Sequence, residues 1–253
     1  SFIHHKEEKF IMKLKKIASL ALAGVMAMSM LAGCAEANAN STPDPQPEQP
    51  STTSYSTVLE SKLSGHAQDK IAMSDDADLT TALNYAAGFV GEDSIVNEFK
   101  DFDTVIKYVN GYMGGATGEA RDHLYDALSV SYKASSNPWD RVQTASALIA
   151  KLNPTNRDPS AANYYKKNNV NTVLLYVVDG GVQMENVMDE IAEDIDSAII
   201  DLANTFDHDG KTNSANVNFH YEGHVATTTN TWTSGHGMRV SLVAVEIVRV
   251  IGK

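Results

Sequence analysis

The chain contains one cysteine, Cys34, and this scarcity excludes several kinds of chemistry. A single thiol forms no internal disulfide, no redox dithiol and no cysteine-rich zinc site. If Cys34 is blocked by a modification, a cysteine nucleophile is excluded as well. The roughly 200 residues that follow are enough to bury a hydrophobic core without disulfides.

Positively charged residues are also few. The sequence has 20 Lys and Arg against 32 Asp and Glu, for a formal net charge of −12. Residues 1–33 hold five of those lysines and two of the glutamates, so the chain from Cys34 onward has a net charge of −15. Nucleic-acid binding relies on clustered Lys and Arg that neutralise phosphates. We therefore expect no nucleic-acid partner and no polybasic contact with lipid headgroups.

Common catalytic motifs are missing from the chain. There is no Gly-x-Ser-x-Gly nucleophile elbow and no Gly-x-x-x-x-Gly-Lys phosphate loop. No two carboxylates stand out as an acid–base pair. These absences favour a protein that binds rather than one that catalyses.

The sequence near the N-terminus has the pattern of an export signal. Met12 is followed by three lysines within four residues, and the run Ile17–Leu31 is 15 residues long without a charge. That run is shorter than the ~20 residues of a membrane-spanning helix. A basic start, a short apolar run and small residues at its end predict a secretory signal peptide over residues 12–33. We interpret residues 1–11 as translated upstream sequence or as residues added for expression.

The signal ends in the tetrapeptide Leu31-Ala32-Gly33-Cys34. It resembles the lipobox of bacterial lipoproteins, which has a leucine three residues before the cysteine and small residues between them. The resemblance implies that the signal is cut before Cys34 and that this cysteine is diacylated. It also implies an exported protein anchored to the outer leaflet of the cytoplasmic membrane or, in a Gram-negative cell, to the outer membrane. The alternative is an ordinary signal peptide with a chance cysteine.

Residues 34–54 are predicted to form a spacer. The segment Ala35–Ser54 has four prolines and no bulky apolar residue, so it has too little apolar surface to fold. We expect it to be extended and to lift a single globular domain, residues 55–253, away from the membrane.

The first half of that domain is predicted to be mostly helical, because apolar residues recur every three or four positions. The strongest pattern covers Ser94–Met113, and a helix is also predicted for Trp139–Leu152. Asp78 is a candidate cap for a third. The apolar stripe of this third helix consists of Leu79, Leu83, Ala86 and Val90. An earlier segment has a similar stripe, which consists of Leu59, Leu63, Ala67 and Ile71.

The second half has a different pattern. Thr172–Val178 is β-branched and apolar, as in a strand buried on both faces, and Val182–Phe206 carries the stripe of a long helix. Val217–Tyr221 and His224–Thr229 are predicted to be the arms of a hairpin, and Met238–Ile251 a long final strand. An N-terminal helical half followed by a strand, a long helix and an antiparallel β-meander indicates an α+β fold.

Four of the six histidines beyond the signal peptide lie close together near the C-terminus. If Tyr221–Gly223 form a three-residue hairpin loop, His220 and His224 face each other about 5 Å apart. They could then bind zinc together with Glu222 or His236. With a two-residue loop the two histidines point to opposite faces, and no site forms. The alternative reading is solvent-facing histidines on a polar hairpin.

The long predicted helix is strongly acidic and has no Lys or Arg. Its acidic residues form either a solvated face or a surface for a cationic partner or calcium. Asp207 and Asp209 before Gly210 also suggest a calcium loop, but we favour a turn because the EF-hand register places no acid at its first and twelfth positions. The acids of the helix are Glu185, Asp189, Glu190, Glu193, Asp194, Asp196 and Asp201.

A ligand surface is also predicted within Thr212–Ser234. This segment is rich in Asn and Thr and contains Tyr221 and Trp232, a combination suited to a glycan. The alternative is an extracellular β-surface with a buried Trp232. The anchor, the spacer, the acidic charge and the missing catalytic motifs favour a non-catalytic binding or interaction module of the cell envelope, with a glycan or an envelope protein as its ligand. A metal-dependent envelope hydrolase that uses His220 and His224 is the alternative.

Overall fold

The computed structural model describes residues 54–91, 105–135, 144–154, 169–206, 217–231 and 239–252. Ser54–Lys253 form one compact unit. The predicted signal peptide, Cys34 and nearly all of the predicted spacer lie outside the described residues.

The described part of the chain folds into helices and one mixed sheet, which confirms the α+β class with an antiparallel meander near the C-terminus. The helices are α1 (Tyr55–Lys62), α2 (Gly65–Gln68), α3 (Ala77–Ala87), α4 (Gly115–Ala127), α5 (Ala145–Ile149), a 3-10 turn (Ala150–Leu152) and α6 (Met184–Ile200). The strands are β1 (Ile71–Met73), β2 (Ile106–Tyr108), β3 (Val170–Asp179), β4 (Thr205–Phe206), β5 (Val217–Thr231) and β6 (Arg239–Ile251).

The strand order in the sheet is β1-β5-β6-β3-β2, and β4 pairs with β5. Strands β5, β6, β3 and β2 pair antiparallel, whereas β1 runs parallel to β5. Strand β6 therefore lies in the middle of the sheet.

Both faces of the sheet are buried over most of its area. On what we call the first face, Leu174 and Val245 belong to a core shared with α1, α2, α5 and α6. On the second face, Leu175 and Ala244 belong to a core shared with α3 and α4. Because successive side chains of a strand point to opposite faces, two buried faces make β3 and β6 nearly continuous apolar runs. The predicted strand Thr172–Val178 is confirmed within β3.

Helix α6 covers the first face through a stripe of fully buried side chains. These are spaced by three and four residues, as expected for one face of a helix. The stripe comprises Val187, Met188, Ile191, Ile195 and Ile199. The helix is shorter than the predicted Val182–Phe206, because the chain leaves helical geometry after Ile200. Phe206 lies in β4 instead and pairs with Val217 of β5.

The helical prediction for the first half is wrong in two places. The stripe at Leu59, Leu63, Ala67 and Ile71 is buried as expected, but it runs through two short helices and a strand. Leu63 has extended backbone angles, and Ser64 caps the next helix. Within Ser94–Met113, residues 106–108 form β2 and pair with Val178–Tyr176 of β3. Residues 92–104 lie outside the described residues. Pairing with the edge of the sheet outweighs the local helical spacing at β2.

The predicted hairpin at residues 217–229 is also wrong, because Val217–Thr231 is one continuous strand. The turn-like Gly223 has a packing role instead. A Cβ atom at this position would lie 2.2 Å from Sδ of Met73 and 2.9 Å from Cδ1 of Ile71. Glycine therefore makes room for the side chains of β1, the parallel neighbour of β5.

Candidate functional site

The residues predicted to bind zinc lie in a row rather than opposite each other. His220, Glu222 and His224 alternate along β5 and share the second face, since residues two apart in a strand point the same way. At ~3.3 Å per residue, the two histidines are about 13 Å apart along the strand. One ion with Zn–N distances near 2.1 Å is too small to bridge them.

The zinc prediction therefore loses its geometric basis. His220 Nε2 lies 3.5 Å from Glu222 Oε1, and both side chains are about half exposed. His236 lies outside the described residues. Within the described ranges, no three His, Cys, Asp or Glu side chains are grouped to hold a metal ion.

The predicted ligand surface also differs from the structure. Tyr221 is buried at 2% exposure in the first-face core, and its hydroxyl donates to the Ala203 carbonyl at 2.7 Å. Burial raises the pKa of Tyr221 to about 12, although nearby Arg249 acts against the increase. Tyr221 is therefore part of the core, and Trp232 lies outside the described residues.

An exposed group of aromatic rings lies instead where α3 ends beside α4. We call Tyr85, Phe89 and His123 the aromatic cluster. The Phe89 ring stacks on the His123 imidazole at 3.6 Å between centroids, and the Tyr85 ring meets Phe89 edge-on at 5.2 Å. Tyr85 and Phe89 are 46% and 41% exposed. The sequence contained a hint of this group, because Tyr85 and Phe89 are large aromatic residues that lie outside the apolar stripe buried by α3.

A second group, which the sequence analysis also missed, lies on the second face near the start of α3. Glu246 is 7% exposed within an otherwise apolar stretch of β6, and its Oε1 accepts a hydrogen bond from Asn171 Nδ2 at 2.7 Å. The Asn171 amide is oriented because its Oδ1 accepts from the Ser131 backbone N–H at 2.9 Å. Burial raises the pKa of Glu246 above its ordinary value, and Asp76 and Asp78 of α3 add to the increase.

His224 lies opposite Glu246 in the register of β5 and β6. Its Nδ1 is 2.9 Å from the Ser74 carbonyl oxygen, which can only accept, and 3.3 Å from the Ser74 hydroxyl, which can donate or accept. We assign the proton to Nδ1, because the shorter contact is then a hydrogen bond. In the neutral ring Nε2 is then an acceptor. We call Glu246, His224 and Asn171 the polar cluster. A glutamate inside the apolar run Val240–Ile247 was its sequence signal, because buried charges are rare.

Several acids of α6 attach this helix to its neighbours. Asp196 accepts hydrogen bonds from the backbone N–H and the hydroxyl of Ser64 at 2.7 and 2.9 Å. Asp189 pairs with Lys62 at 2.8 Å, and Asp194 accepts from the Tyr176 hydroxyl at 2.8 Å. Part of the predicted acidic surface is thus used within the fold. The predicted calcium turn at Asp207 and Asp209 lies outside the described residues.

Two tyrosines on neighbouring strands have contrasting environments. The rings of Tyr108 and Tyr176 lie 5.6 Å apart, and burial raises the pKa of both hydroxyls. The Tyr176 hydroxyl donates to Asp194, whereas no described residue hydrogen-bonds the buried Tyr108 hydroxyl.

Comparison of the chain with models of protein families, with curated proteins and with solved structures found no match. None of the helices in the described ranges combines the length and apolar character needed to cross a membrane.

Proposed function

We propose that this protein is an exported lipoprotein, anchored to the cell envelope by a lipid on Cys34, and that its domain is a non-catalytic binding module. The anchor is supported by the sequence of residues 12–34, where a basic start, a 15-residue apolar run and a lipobox-like tetrapeptide follow one another. The binding role is supported by one observation, the exposed aromatic cluster.

The size of the aromatic cluster favours a small ligand. Exposed aromatic rings that form one contiguous group are typical of ligand-binding surfaces, whereas a stable protein interface buries about 800 Å² on each partner. Two exposed rings and a partly buried imidazole offer much less area than that. We therefore propose a glycan as the ligand, because the C–H faces of a sugar ring pack against aromatic faces. Exposed Asn84, next to Tyr85 in sequence, adds a hydrogen-bonding amide.

The anchor is tested with Cys34→Ala in cells given a labelled fatty acid. Wild-type protein should carry the label and remain with the membrane fraction. The variant should lose the label and be released or remain unprocessed. Equal labelling of both proteins would contradict the anchor without affecting the binding proposal.

Binding is tested with purified protein on immobilised peptidoglycan fragments and envelope polysaccharides. Phe89→Ala and Tyr85→Ala should each weaken retention by about tenfold, as expected when an aromatic contact of about 1.4 kcal/mol is lost. Val105→Ala is the matched control, since Val105 is 56% exposed and is not one of the stacked rings. Equal losses in all three variants, or retention of a purified envelope protein but of no glycan, would overturn the glycan proposal.

A further inference from the structure

The charges around Glu246 are unbalanced. Among the charged groups that act on its carboxylate, Asp76 and Asp78 have the same sign, and only His224 is able to carry a positive charge. Burying a carboxylate beside other negative charges lowers the stability of the fold unless a cation pairs with it.

The open positions of the polar cluster are all acceptors. Asn171 donates to Oε1 of Glu246, and no described residue donates to Oε2. With the proton of the neutral His224 ring assigned to Nδ1, which contacts the Ser74 carbonyl, the lone pair of Nε2 is available. A ligand that completes the cluster must therefore donate hydrogen bonds.

The cluster is held in place before any ligand arrives. Asn171 is oriented by the backbone of Ser131, and the loop that follows β1 orients the imidazole of His224. Asp76 is fixed as well, because it caps α3 by accepting from the Leu79 N–H at 2.6 Å. Fixed side chains bind a ligand with little ordering cost.

We propose that Glu246 and His224 form a binding site for a protonated primary amine, at the end of the second face where α3 begins. The positive charge of the amine balances the carboxylate, and its N–H groups donate to Glu246 Oε2 and His224 Nε2. A metal ion fits less well, because the described residues offer no group of three metal ligands. The site is separate from the aromatic cluster, since one lies at the start of α3 and the other at its end, about 15 Å away along Ala77–Ala87.

The test is an NMR titration of the His224 ring protons in the wild-type protein with n-butylammonium chloride. Sodium chloride, n-butanol and calcium chloride are the matched probes. The amine should give a saturable shift that the three controls do not give. Lysine side chains and amino sugars share this chemistry, so Nα-acetyl-lysine methylamide and glucosamine are titrated next. Tighter binding of either supports the site and identifies the source of the amine.

Variants then assign the charge. Glu246→Gln keeps the shape of the side chain and should weaken n-butylammonium binding by about tenfold or more, because hydrogen bonds to charged groups are the stronger ones. Glu246→Asp should retain part of the affinity. Glu190→Gln, which removes an exposed acid from α6 on the first face, should bind like wild type.

Two results would overturn the proposal. One is the absence of a saturable shift with the amine, or an equal shift with sodium chloride, n-butanol or calcium. The other is wild-type affinity in folded Glu246→Gln. Because the first result needs no variant, the titration decides the proposal even if a substituted protein does not fold. Neither result bears on the aromatic cluster or the lipid anchor.

Discussion

The two faces of the sheet differ in what their acidic side chains contact. On the first face, four helices cover the strands, and acids of α6 form specific contacts with their neighbours. Asp196 binds Ser64, and Asp194 binds Tyr176. On the second face, the described helices that cover the strands are α3 and α4. Beyond the start of α3 lies Glu246, a buried carboxylate that has Asn171 as its hydrogen-bond donor.

If Glu246 binds an amine as proposed, the two faces divide stability from function. The acids of α6 hold this helix against its neighbours on the first face, so removing them should loosen the fold. Burial raises the pKa of the Glu246 carboxyl on the second face, so we expect its charged form to reduce stability. A fold keeps such a group when it serves another purpose. The predictions below test this contrast between the faces.

The largest effect is expected in the first-face core. Ile195 of α6 is fully buried, so Ile195→Ala should lower the free energy of unfolding by about 2–5 kcal/mol through lost burial and a residual cavity. Urea denaturation of the purified protein measures the change. Exposed Val105→Ala is the control and should alter it by less than about 0.5 kcal/mol. Similar values for the two variants would contradict the packing of α6 described above.

Neighbouring tyrosines should respond with opposite signs. Tyr176→Phe removes the hydrogen bond to Asp194 and should cost about 1.5–3 kcal/mol, the range for bonds to charged groups. Tyr108→Phe removes a buried hydroxyl without a hydrogen-bond partner in the described structure and should add up to about 1 kcal/mol. Thermal and urea unfolding of both variants provide the comparison. A loss of stability in Tyr108→Phe would show that its hydroxyl is satisfied in solution.

Glu246→Gln should stabilise the protein near neutral pH, because burial disfavours the charged form of the carboxylate. The effect should depend on pH in a defined direction. The ordinary pKa of a glutamate is 4.5, and that of Glu246 is raised in the fold. As pH rises above 4.5, the unfolded chain releases this proton before the folded one does, so wild type loses stability until the folded pKa is passed.

The difference in unfolding free energy between Glu246→Gln and wild type should therefore be smallest at acidic pH and grow with pH. Urea denaturation at a series of pH values measures it. A constant difference would mean that the carboxylate titrates as it does in the unfolded chain.

The smallest effect is expected at the surface ion pair of α1 and α6. Lys62 Nζ and Asp189 Oδ1 are 2.8 Å apart, but the side chains are 33% and 50% exposed. Lys62→Met should cost about 0–1 kcal/mol and less at high salt, since solvent and ions screen exposed charges. Unfolding in low and high sodium chloride checks both points. A larger loss of unfolding free energy that does not depend on salt would show that this pair stabilises the fold as much as the buried contacts do.

The sequence predicted the elements whose apolar pattern is reinforced by their surroundings. Strand β3 and the middle of α6 have strong apolar patterns, and the structure buries the residues that these patterns place on the inside. Their ends were less well predicted, because the chain leaves α6 to form β4, which depends on Val217 rather than on local sequence.

The errors occur where distant residues decide the local structure. Ile106–Tyr108 form a strand because β3 offers an edge, and Gly223 lies in a strand because β1 packs beside it. For the same reason, the sequence showed the histidines but not their partners. His224 lies opposite Glu246 and contacts Ser74, and both contacts depend on strand register. The residues next to His224 in the sequence do not reveal how β5 is aligned with β6 or where Ser74 lies.

The central position of β6 has a consequence for the order of folding. This strand comes last among the described strands, yet β5 and β3 both depend on it for pairing. A fragment that ends before Arg239 lacks the middle of the sheet, so its amphipathic helices have no complete surface to pack on. Pairing between strands far apart in sequence also slows folding. The domain should therefore fold as a single event after the whole chain is present, rather than progressively from its N-terminal end.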